Sequence, residues 1–256
     1  MEQPAKNSLS RRLRLQEDQY VFPYHFIPQV WGRRYRAQML VRSGHVYLSY
    51  LNAVLDVLAE HDWRTLLDVG CGDGRLVTMI MKNFPDRAVA GVDYSAKAID
   101  LARAMEPTGN FHCGDICDEH ASFGKNDVVT CVETMEHIDP EMLPRFVLGL
   151  RHWVDDNGLL VVTVPSTNLE LKKKHFQHFT QESITAALAE CFTPKRIVFL
   201  NGKTRFLKRL EKVLFNRYYT ISHEKLLYKF FVYYTKNFAV SDARQGTRIL
   251  GVFKPI

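Results

Sequence analysis

The sequence predicts an α/β fold in which a mostly parallel sheet is covered by helices on both faces, a doubly wound arrangement. Two observations lead to this prediction. Strand-like runs alternate with helix-like segments along the chain, and the runs are apolar on both faces, as in parallel strands buried between two layers of helices. The 256 residues are enough for one sizeable core with a lid or subdomain.

The alternation can be followed element by element. Seven runs have the composition of strands, at residues 65–70, 87–93, 110–114, 126–133, 158–165, 195–201 and 246–254. Helices are predicted at residues 43–60, 74–84, 95–106, 139–154 and 180–191. Residues that favour helix starts stand at the head of four of them, at Ser43, Ser95, Asp139-Pro140 and Thr180.

Two regions fall outside this alternation. Residues 1–42 are polar, basic and aromatic without a clear period, and they are interpreted as an N-terminal cap segment. The domain proper is then 43–256, with residues 203–245 as a helical insertion, a lid, before the last strand. The insertion has two apolar stripes, one of Leu207, Leu210, Val213 and Leu214, and one of Leu226, Leu227, Phe230, Phe231 and Tyr234.

The positive charge is concentrated in this insertion. Residues 203–236 carry nine Lys or Arg against two Glu, a net +7, whereas the whole chain carries +6. The segment also holds nine aromatic residues. It is interpreted as a lid helix with solvated cations outside. The alternatives are an interfacial helix in peripheral contact with an anionic membrane and a nucleic-acid-binding surface.

No run of about 18 uncharged apolar residues occurs, and the first residues have no apolar core of a signal peptide. The five cysteines are scattered and form no CxxC pair. The expected location is therefore cytoplasmic, peripheral to a membrane if the basic segment binds lipid.

A glycine-rich turn follows the first strand, in "LLDVGCGDGRL" at 66–76. Alternating glycines let the backbone approach a ligand closely. Asp68 precedes the turn, Asp93 ends the next strand, where a carboxylate can accept both hydroxyls of a ribose, and Asp115 follows the third strand. So many acids suit a cationic ligand better than a diphosphate. The full dinucleotide pattern is absent, because Val77 stands at its third glycine.

The ordered set "LDVGCGDG", "GVDYS", "GDI" and "VVTCVETMEHI" resembles the class I S-adenosylmethionine-dependent methyltransferases, over roughly Leu66 to Phe199. The resemblance implies an enzyme with a seven-stranded sheet whose last strand is antiparallel. It also implies that the glycine turn wraps the methionine part, that Asp93 holds the ribose, and that adenine lies against Tyr94 and near Asp115. The cofactor residues it implies are Asp68, Gly70, Cys71, Gly72, Gly74, Asp93, Tyr94, Asp115, Ile116, Val132 and Glu133.

The segment "ETMEH" is similar to the ExxEH of small-RNA 3′-terminal 2′-O-methyltransferases and of ubiquinone-pathway O-methyltransferases. That similarity implies a divalent metal, Mn²⁺, Mg²⁺ or another, held by Glu133, Glu136, His137 and His175, the last within "KHFQHFT". Imidazole ligands favour Mn²⁺, Fe²⁺ or Zn²⁺ over Mg²⁺. His178 is an alternative fourth ligand. Without metal, His137 or His175 is a candidate general base, and an alternative is that the segment only forms a turn.

The favoured function is O-methylation of a small-molecule, sugar (glycan) or lipid-linked acceptor. RNA ribose 2′-O-methylation is the first alternative, and a non-catalytic cofactor-binding partner is the second. The aromatic and basic stretch 20–35 and the later histidine loop are predicted to contact the acceptor. The candidate contacts are Tyr20, Tyr24, His25, Trp31 and His178.

Overall fold

The computed structural model describes residues 15, 29–31, 34–36, 44–118, 123–216, 218–219, 221 and 223–256. Strands β1 (Gln29–Trp31) and β2 (Arg34–Arg36) form a small antiparallel pair of their own. The remaining helices and strands follow in chain order as α1 (Gly44–Ala59), β3 (Thr65–Val69), α2 (Arg75–Asn83), β4 (Ala88–Asp93), α3 (Ala96–Met105), β5 (Asn110–Cys113), β6 (Asn126–Val132), α4 (Leu143–Trp153), β7 (Val154–Pro165), α5 (Gln181–Leu188), β8 (Phe192–Gly202), α6 (Arg205–Leu214), α7 (Glu224–Phe238), β9 (Val240–Ser241) and β10 (Gly246–Pro255).

The main sheet has eight strands in the order β5-β4-β3-β6-β7-β10-β8-β9. The first five strands in this order are mutually parallel, and β10 pairs antiparallel with both β7 and β8. The predicted α/β class and the antiparallel last strand are confirmed. The predicted number of seven strands is wrong by one, because the two residues of β9 pair with Phe199 and Leu200 at the sheet edge.

Each face of the sheet carries its own apolar core, as expected for parallel strands whose successive side chains point to opposite sides. On one face, Leu67 and its alternating neighbours pack against α4 and α5. On the other, Leu66 and its counterparts pack against α1, α2 and α3. This double burial explains why the strands read as nearly continuous apolar runs.

Two element boundaries differ most from the predicted ones, by four residues each. Helix α4 begins at Leu143 and not at Asp139, because the Asp139 side chain accepts from the Glu141 N–H (3.1 Å) and its carbonyl from the Met142 N–H (2.9 Å), which forms a separate turn. Strand β7 begins at Val154, directly after the helix, although its polar residues 155–157 concealed the start of the strand. The pairing register shifts there, as in a β-bulge.

The insertion packs against α1 through a small cluster of buried side chains from α6, α7 and the segment between them, namely Leu207, Leu214, Phe215, Phe230 and Tyr234. His45 of α1 binds Glu211 of α6 at 2.9 Å. Val213 and Leu226, predicted to belong to buried stripes, are instead 58% and 42% exposed. In the part of the chain that the structure describes, no helix is both long and apolar enough to cross a membrane.

Candidate active site

Residues from four parallel strands meet at one edge of the sheet, where the carboxyl ends of β3, β4, β5 and β6 lie side by side. Ligands of open α/β sheets bind in the crevice outside these ends. The predicted cofactor residues all lie at this edge, in residues 68–74, 93–94, 115–116 and 132–133.

The turn after β3 needs its glycines. Gly70, Gly72 and Gly74 all have positive φ, at 73°, 55° and 73°. The N–H groups of Gly70 and Cys71 donate to the Val92 carbonyl at 2.8 and 3.1 Å, which ties the turn to β4. The Cys71 side chain is buried, and its carbonyl accepts from the Gly74 N–H at 3.0 Å, which closes the turn.

We expect Gly70→Ala to lower the free energy of unfolding by about 1–3 kcal/mol from the left-handed φ alone. The added Cβ would also lie 2.3 Å from the Thr134 hydroxyl oxygen, which adds to the loss. Urea unfolding measures both effects. Gly44→Ala is the matched control, because Gly44 has open space around its Cβ position. Equal stability of the two variants would contradict this account of the turn.

Asp93 is buried at the end of β4 and is held in a fixed orientation. One carboxylate oxygen accepts from the Gly72 N–H at 3.0 Å and the other from the Ser95 N–H at 2.9 Å. Tyr94, next in the chain, is 48% exposed at the same edge. The acid therefore links the glycine turn to the start of α3.

The segment after β5 combines an exposed acid with a buried apolar residue. Asp115 accepts from the Cys117 N–H at 2.9 Å. Ile116 is buried, and its carbonyl accepts from the Trp153 indole N–H at 2.9 Å. Asp115 and Ile116 lie at the carboxyl end of β5, and their contact with adenine stays a prediction from the family resemblance.

Asp68 is a buried acid beneath the turn. Its carboxyl accepts from the Thr130 hydroxyl at 2.6 Å. Burial raises the pKa of Asp68 to about 7; the bond from Thr130 opposes this rise, and the nearby Asp93 adds to it. A positive charge placed above this acid would stabilise its ionised form.

The chain turns sharply after β6, where Glu133 has a φ of 53°. A non-glycine residue in this region carries about 1–3 kcal/mol of strain and needs support from its surroundings. The support comes from Thr163, whose carbonyl accepts from the Glu133 N–H at 2.8 Å, and from Arg248, whose Nε donates to the Glu133 carboxylate at 2.9 Å. The Arg248 guanidinium also lies over the Tyr50 ring, 4.6 Å from its centroid.

A metal-capable group lies next to this turn. Glu136, His137 and His175 each offer a ligand atom, and these atoms lie within 4.8 Å of one another. Glu136 is buried, and within the described part of the chain its Oε2 atom has no hydrogen-bond partner. His175 lies near Glu136 because the loop after β7 folds back onto the turn after β6. There the Phe176 N–H donates to the Glu136 carbonyl at 2.8 Å.

The hydrogen bonds of the histidines assign their tautomers. His137 Nδ1 lies 3.2 Å from the Lys174 carbonyl, so it carries the proton and leaves Nε2 as the acceptor. His178 Nδ1 likewise lies 3.1 Å from the Leu169 carbonyl, so its Nε2 accepts from His175 Nδ1 at 2.8 Å. Both His137 and His175 therefore keep an unprotonated Nε2, the form in which imidazole binds metal.

In the absence of a bound ion, burial favours the uncharged forms of these three side chains. It raises the pKa of Glu136 well above its ordinary value and lowers the pKa of His137 to about 4 and of His175 to about 2. One carboxylate and two imidazoles are a donor set that suits a divalent transition metal, and the Glu136 Oε2 atom has no hydrogen-bond partner among the described residues. These residues fit the metal that the family resemblance implies.

The structure differs from the predicted ligand set at one position. Glu133 lies outside the metal-capable group, because its carboxylate is paired with Arg248. His178 also lies outside this group, and its Nε2 accepts a hydrogen bond from His175 Nδ1. Tyr20, Tyr24 and His25 lie outside the described residues, and of Trp31 only the backbone, in β1, is described.

Arg248 and Tyr50 were not predicted from the sequence. A signal for Arg248 was present, because a charged residue stands inside the otherwise apolar run "GTRILGVF" of a buried strand. The sequence held no such signal for Tyr50, because an aromatic residue on the apolar side of a helix usually belongs to the hydrophobic core.

Residues 66–158 match a family described as "Methyltransferase domain". This stretch spans the glycine turn, the acids of β4 and β5, and the metal-capable turn after β6. This match supports the predicted resemblance to the class I, S-adenosylmethionine-dependent methyltransferases.

Two relatives align with part of the chain. Malonyl-[acyl-carrier protein] O-methyltransferase from Halalkalibacterium halodurans is 31% identical over 121 residues, covering 44% of each chain. Ubiquinone biosynthesis O-methyltransferase from Coxiella burnetii is 32% identical over 118 residues, covering 44% of this chain and 48% of that one. This chain thus matches about half the length of these curated relatives.

A solved structure shares the fold. A SAM dependent methyltransferase from Archaeoglobus fulgidus aligns with 82% of this chain and 94% of that one, with a TM-score of 0.56 and 16% identity. At this identity the likeness shows the fold alone.

Proposed function

We propose that this chain is an S-adenosylmethionine-dependent O-methyltransferase for a small-molecule, sugar or lipid-linked acceptor, assisted by a divalent metal. The observation that carries the proposal is the group of Glu136, His137 and His175, which follows the strand whose end borders the cofactor crevice. Neither plain cofactor binding nor a structural turn requires three metal-capable side chains there, two of them buried.

The chain's own residues divide the work between the two halves of the site. The glycine turn and Asp93 hold the methyl donor, whose sulfonium supplies the methyl group. Methyl transfer is an in-line displacement, so the alignment of the acceptor oxygen with the methyl group and the exclusion of water provide much of the acceleration. Without a bound ion, the Nε2 atoms of His137 and His175 carry no proton and are candidate proton acceptors for the acceptor hydroxyl. A divalent ion held by the group would act as a Lewis acid that lowers the pKa of the acceptor hydroxyl.

Charges around the group favour an anionic acceptor. The positive charges of Lys172 and Lys174, together with burial, lower the pKa of His175, which places both cations beside the site. Arg248 adds a guanidinium of which only Nε is paired among the described residues. A guanidinium binds carboxylate or phosphate through its remaining N–H donors. The acceptor class is therefore a hydroxyl compound that carries such a group.

The test is transfer of a labelled methyl group from S-adenosylmethionine to a panel of catechols, sugar diols and hydroxy acids, with and without Mn²⁺. We expect transfer to at least one anionic hydroxyl compound, abolished by a chelator and restored by Mn²⁺. Transfer unaffected by chelation would contradict metal assistance. Failure to bind the methyl donor at all would contradict the whole proposal.

RNA is a second candidate acceptor, supported by the ExxEH similarity and by the exposed Tyr218 and Tyr228 in the basic insertion. The same panel includes a short RNA with a free 3′-terminal ribose. Methylation of this RNA, with affinity that falls steeply with salt, would replace the small-molecule proposal.

The acid beneath the turn makes stability depend on pH. Because the pKa of Asp68 is about 7 in the folded chain and ordinarily 3.8, the folded state holds a proton that the unfolded state releases between these values. The stabilisation that the protonated Asp68 carboxyl contributes is fully present below about pH 4 and is lost as the pH rises through 7. We expect wild type to lose up to about 1.4 kcal/mol per pH unit relative to Asp68→Asn between pH 5 and 7, measured by urea unfolding.

Asp127→Asn is the control for this measurement. The N–H groups of Arg64 and Thr65 bind the Asp127 carboxylate and lower its pKa, so its contribution is lost only in acid. Its difference from wild type should stay constant from pH 5 to 8. A constant difference for Asp68→Asn as well would show that Asp68 is ionised in the folded chain.

A further inference from the structure

One face of α7 alternates cations with apolar side chains. Residues three, four, seven and eleven positions apart lie on the same side of a helix. By this spacing the face consists of Lys225, Tyr228, Lys229, Val232 and Lys236, all of them exposed. Tyr228 is 67% exposed and Val232 46% exposed.

Helix α6 has a similar outer face. Its cations are all exposed and lie within about one third of the helix circumference, at Arg205, Lys208, Arg209 and Lys212. Phe206 and Val213, seven residues apart, flank these cations on the same side, and each is 58% exposed. Together, these sides of α6 and α7 are called the outer face.

The outer face points away from the protein core. The opposite sides of the two helices bury Leu207, Leu214, Phe230 and Tyr234 in one cluster. Glu211, one of the two acids of the segment, is held by His45 at 2.9 Å. The cations of the outer face are therefore poorly compensated within the described chain, and a lid that only covered the sheet would not need the apolar side chains beside them.

We infer that the outer face binds the surface of an anionic lipid bilayer. Lysines near such a surface are attracted to its phosphates, and tyrosine, phenylalanine and valine side chains enter the boundary between headgroups and acyl chains. The helices would lie flat on the membrane, since their buried sides face the core. The inference rests on the outer face alone and does not depend on the reaction at the active site.

The side chains favour lipid over nucleic acid. Val213 and Val232 gain from contact with acyl chains but cannot stack on bases. Lys outnumbers Arg on the outer face by five to two, whereas Arg is the residue that pairs bidentately with nucleic-acid phosphates and stacks on bases. RNA binding is the outcome that would replace the lipid interpretation.

The test is co-sedimentation of the full chain with vesicles of phosphatidylcholine, with or without phosphatidylglycerol. We expect binding only to the anionic vesicles and weaker binding at high salt. The triple variant Lys225→Glu/Lys229→Glu/Lys236→Glu should reduce partition at least about a hundredfold, given roughly 1 kcal/mol per cation near the surface. The matched control, Lys82→Glu/Lys195→Glu/Lys254→Glu, makes the same charge change at exposed positions elsewhere and should bind more tightly than the first variant.

A second variant keeps the charge. Tyr228→Ser/Val232→Ser should reduce the binding that persists at high salt, because that part depends on apolar insertion. Equal partition of the two triple variants, or equal binding to neutral and anionic vesicles by wild type, would overturn the inference. Wild type alone supplies the second of these results, so the inference can fail even if a variant does not fold. Salt-dependent retention on single-stranded RNA without vesicle binding would overturn it as well.

Discussion

Glu136→Gln is expected to reduce methyl transfer by about 10²- to 10⁴-fold, the range for a lost catalytic group, while leaving the fold intact. Burial raises the pKa of Glu136, so the metal-free chain holds a neutral carboxyl that glutamine resembles in shape and charge. The Oε2 atom has no partner, so its replacement breaks no hydrogen bond. Glutamine, however, cannot supply the negative ligand that a divalent ion needs. Turnover, Mn²⁺ titration by calorimetry and urea unfolding measure the three consequences.

Glu133→Gln is the matched control, with the opposite pattern. Loss of this charge leaves the buried Arg248 guanidinium without its ion partner, which typically destabilises a protein by about 3–5 kcal/mol. The metal-capable group stays complete, so Mn²⁺ binding should persist in the folded variant. If Glu136→Gln retained full Mn²⁺ affinity, or if Glu133→Gln lost it at unchanged stability, the ligands would have been assigned to the wrong acid.

Asp93→Ala is expected to weaken S-adenosylmethionine binding at least about a hundredfold, since each hydrogen bond to a charged carboxylate contributes about 1.5–3 kcal/mol and a ribose offers two. The acid is buried and already oriented by the N–H groups of Gly72 and Ser95, so little ordering is needed when the ligand arrives. Calorimetric titration with S-adenosylmethionine and with S-adenosylhomocysteine measures the loss. Both ligands share the ribose, so both should weaken equally.

Asp115→Ala provides the comparison for Asp93. Asp115 is exposed, and water competes for any hydrogen bond that it makes to a ligand. Its replacement should therefore weaken both ligands by only a few-fold. Unchanged affinity in Asp93→Ala would contradict the assignment of the whole crevice, not only of this residue.

The cofactor side and the acceptor side of the proposed site differ in their electrostatics. On the cofactor side, Asp68 and Asp93 place acids under and beside the glycine turn, where a sulfonium is attracted. On the proposed acceptor side, burial raises the pKa of Glu136 and lowers the pKa of both histidines, and Glu133 is paired with Arg248. The proposed anionic acceptor would then meet lysine and arginine side chains beside a group that favours its neutral forms.

Much of this architecture follows from local sequence patterns. The alternation of apolar runs and helices, the positive-φ glycines at 70–74 and the acids that end each strand are properties of short stretches, and the parallel sheet necessarily brings the strand ends together. For this reason the amino-acid sequence by itself was sufficient to predict that these residues lie together at one edge of the sheet.

The tertiary structure alone decided which partners these residues take. Glu133 pairs with Arg248, 115 positions away, and His175 reaches Glu136 only because the loop after β7 folds back to the turn. The burial of Leu207 and the exposure of Val213 on one helix depend on what packs against α6. The local sequence predicts which helix or strand a segment forms. Contacts between distant segments depend on how all the helices and strands pack together, and no single segment determines this packing.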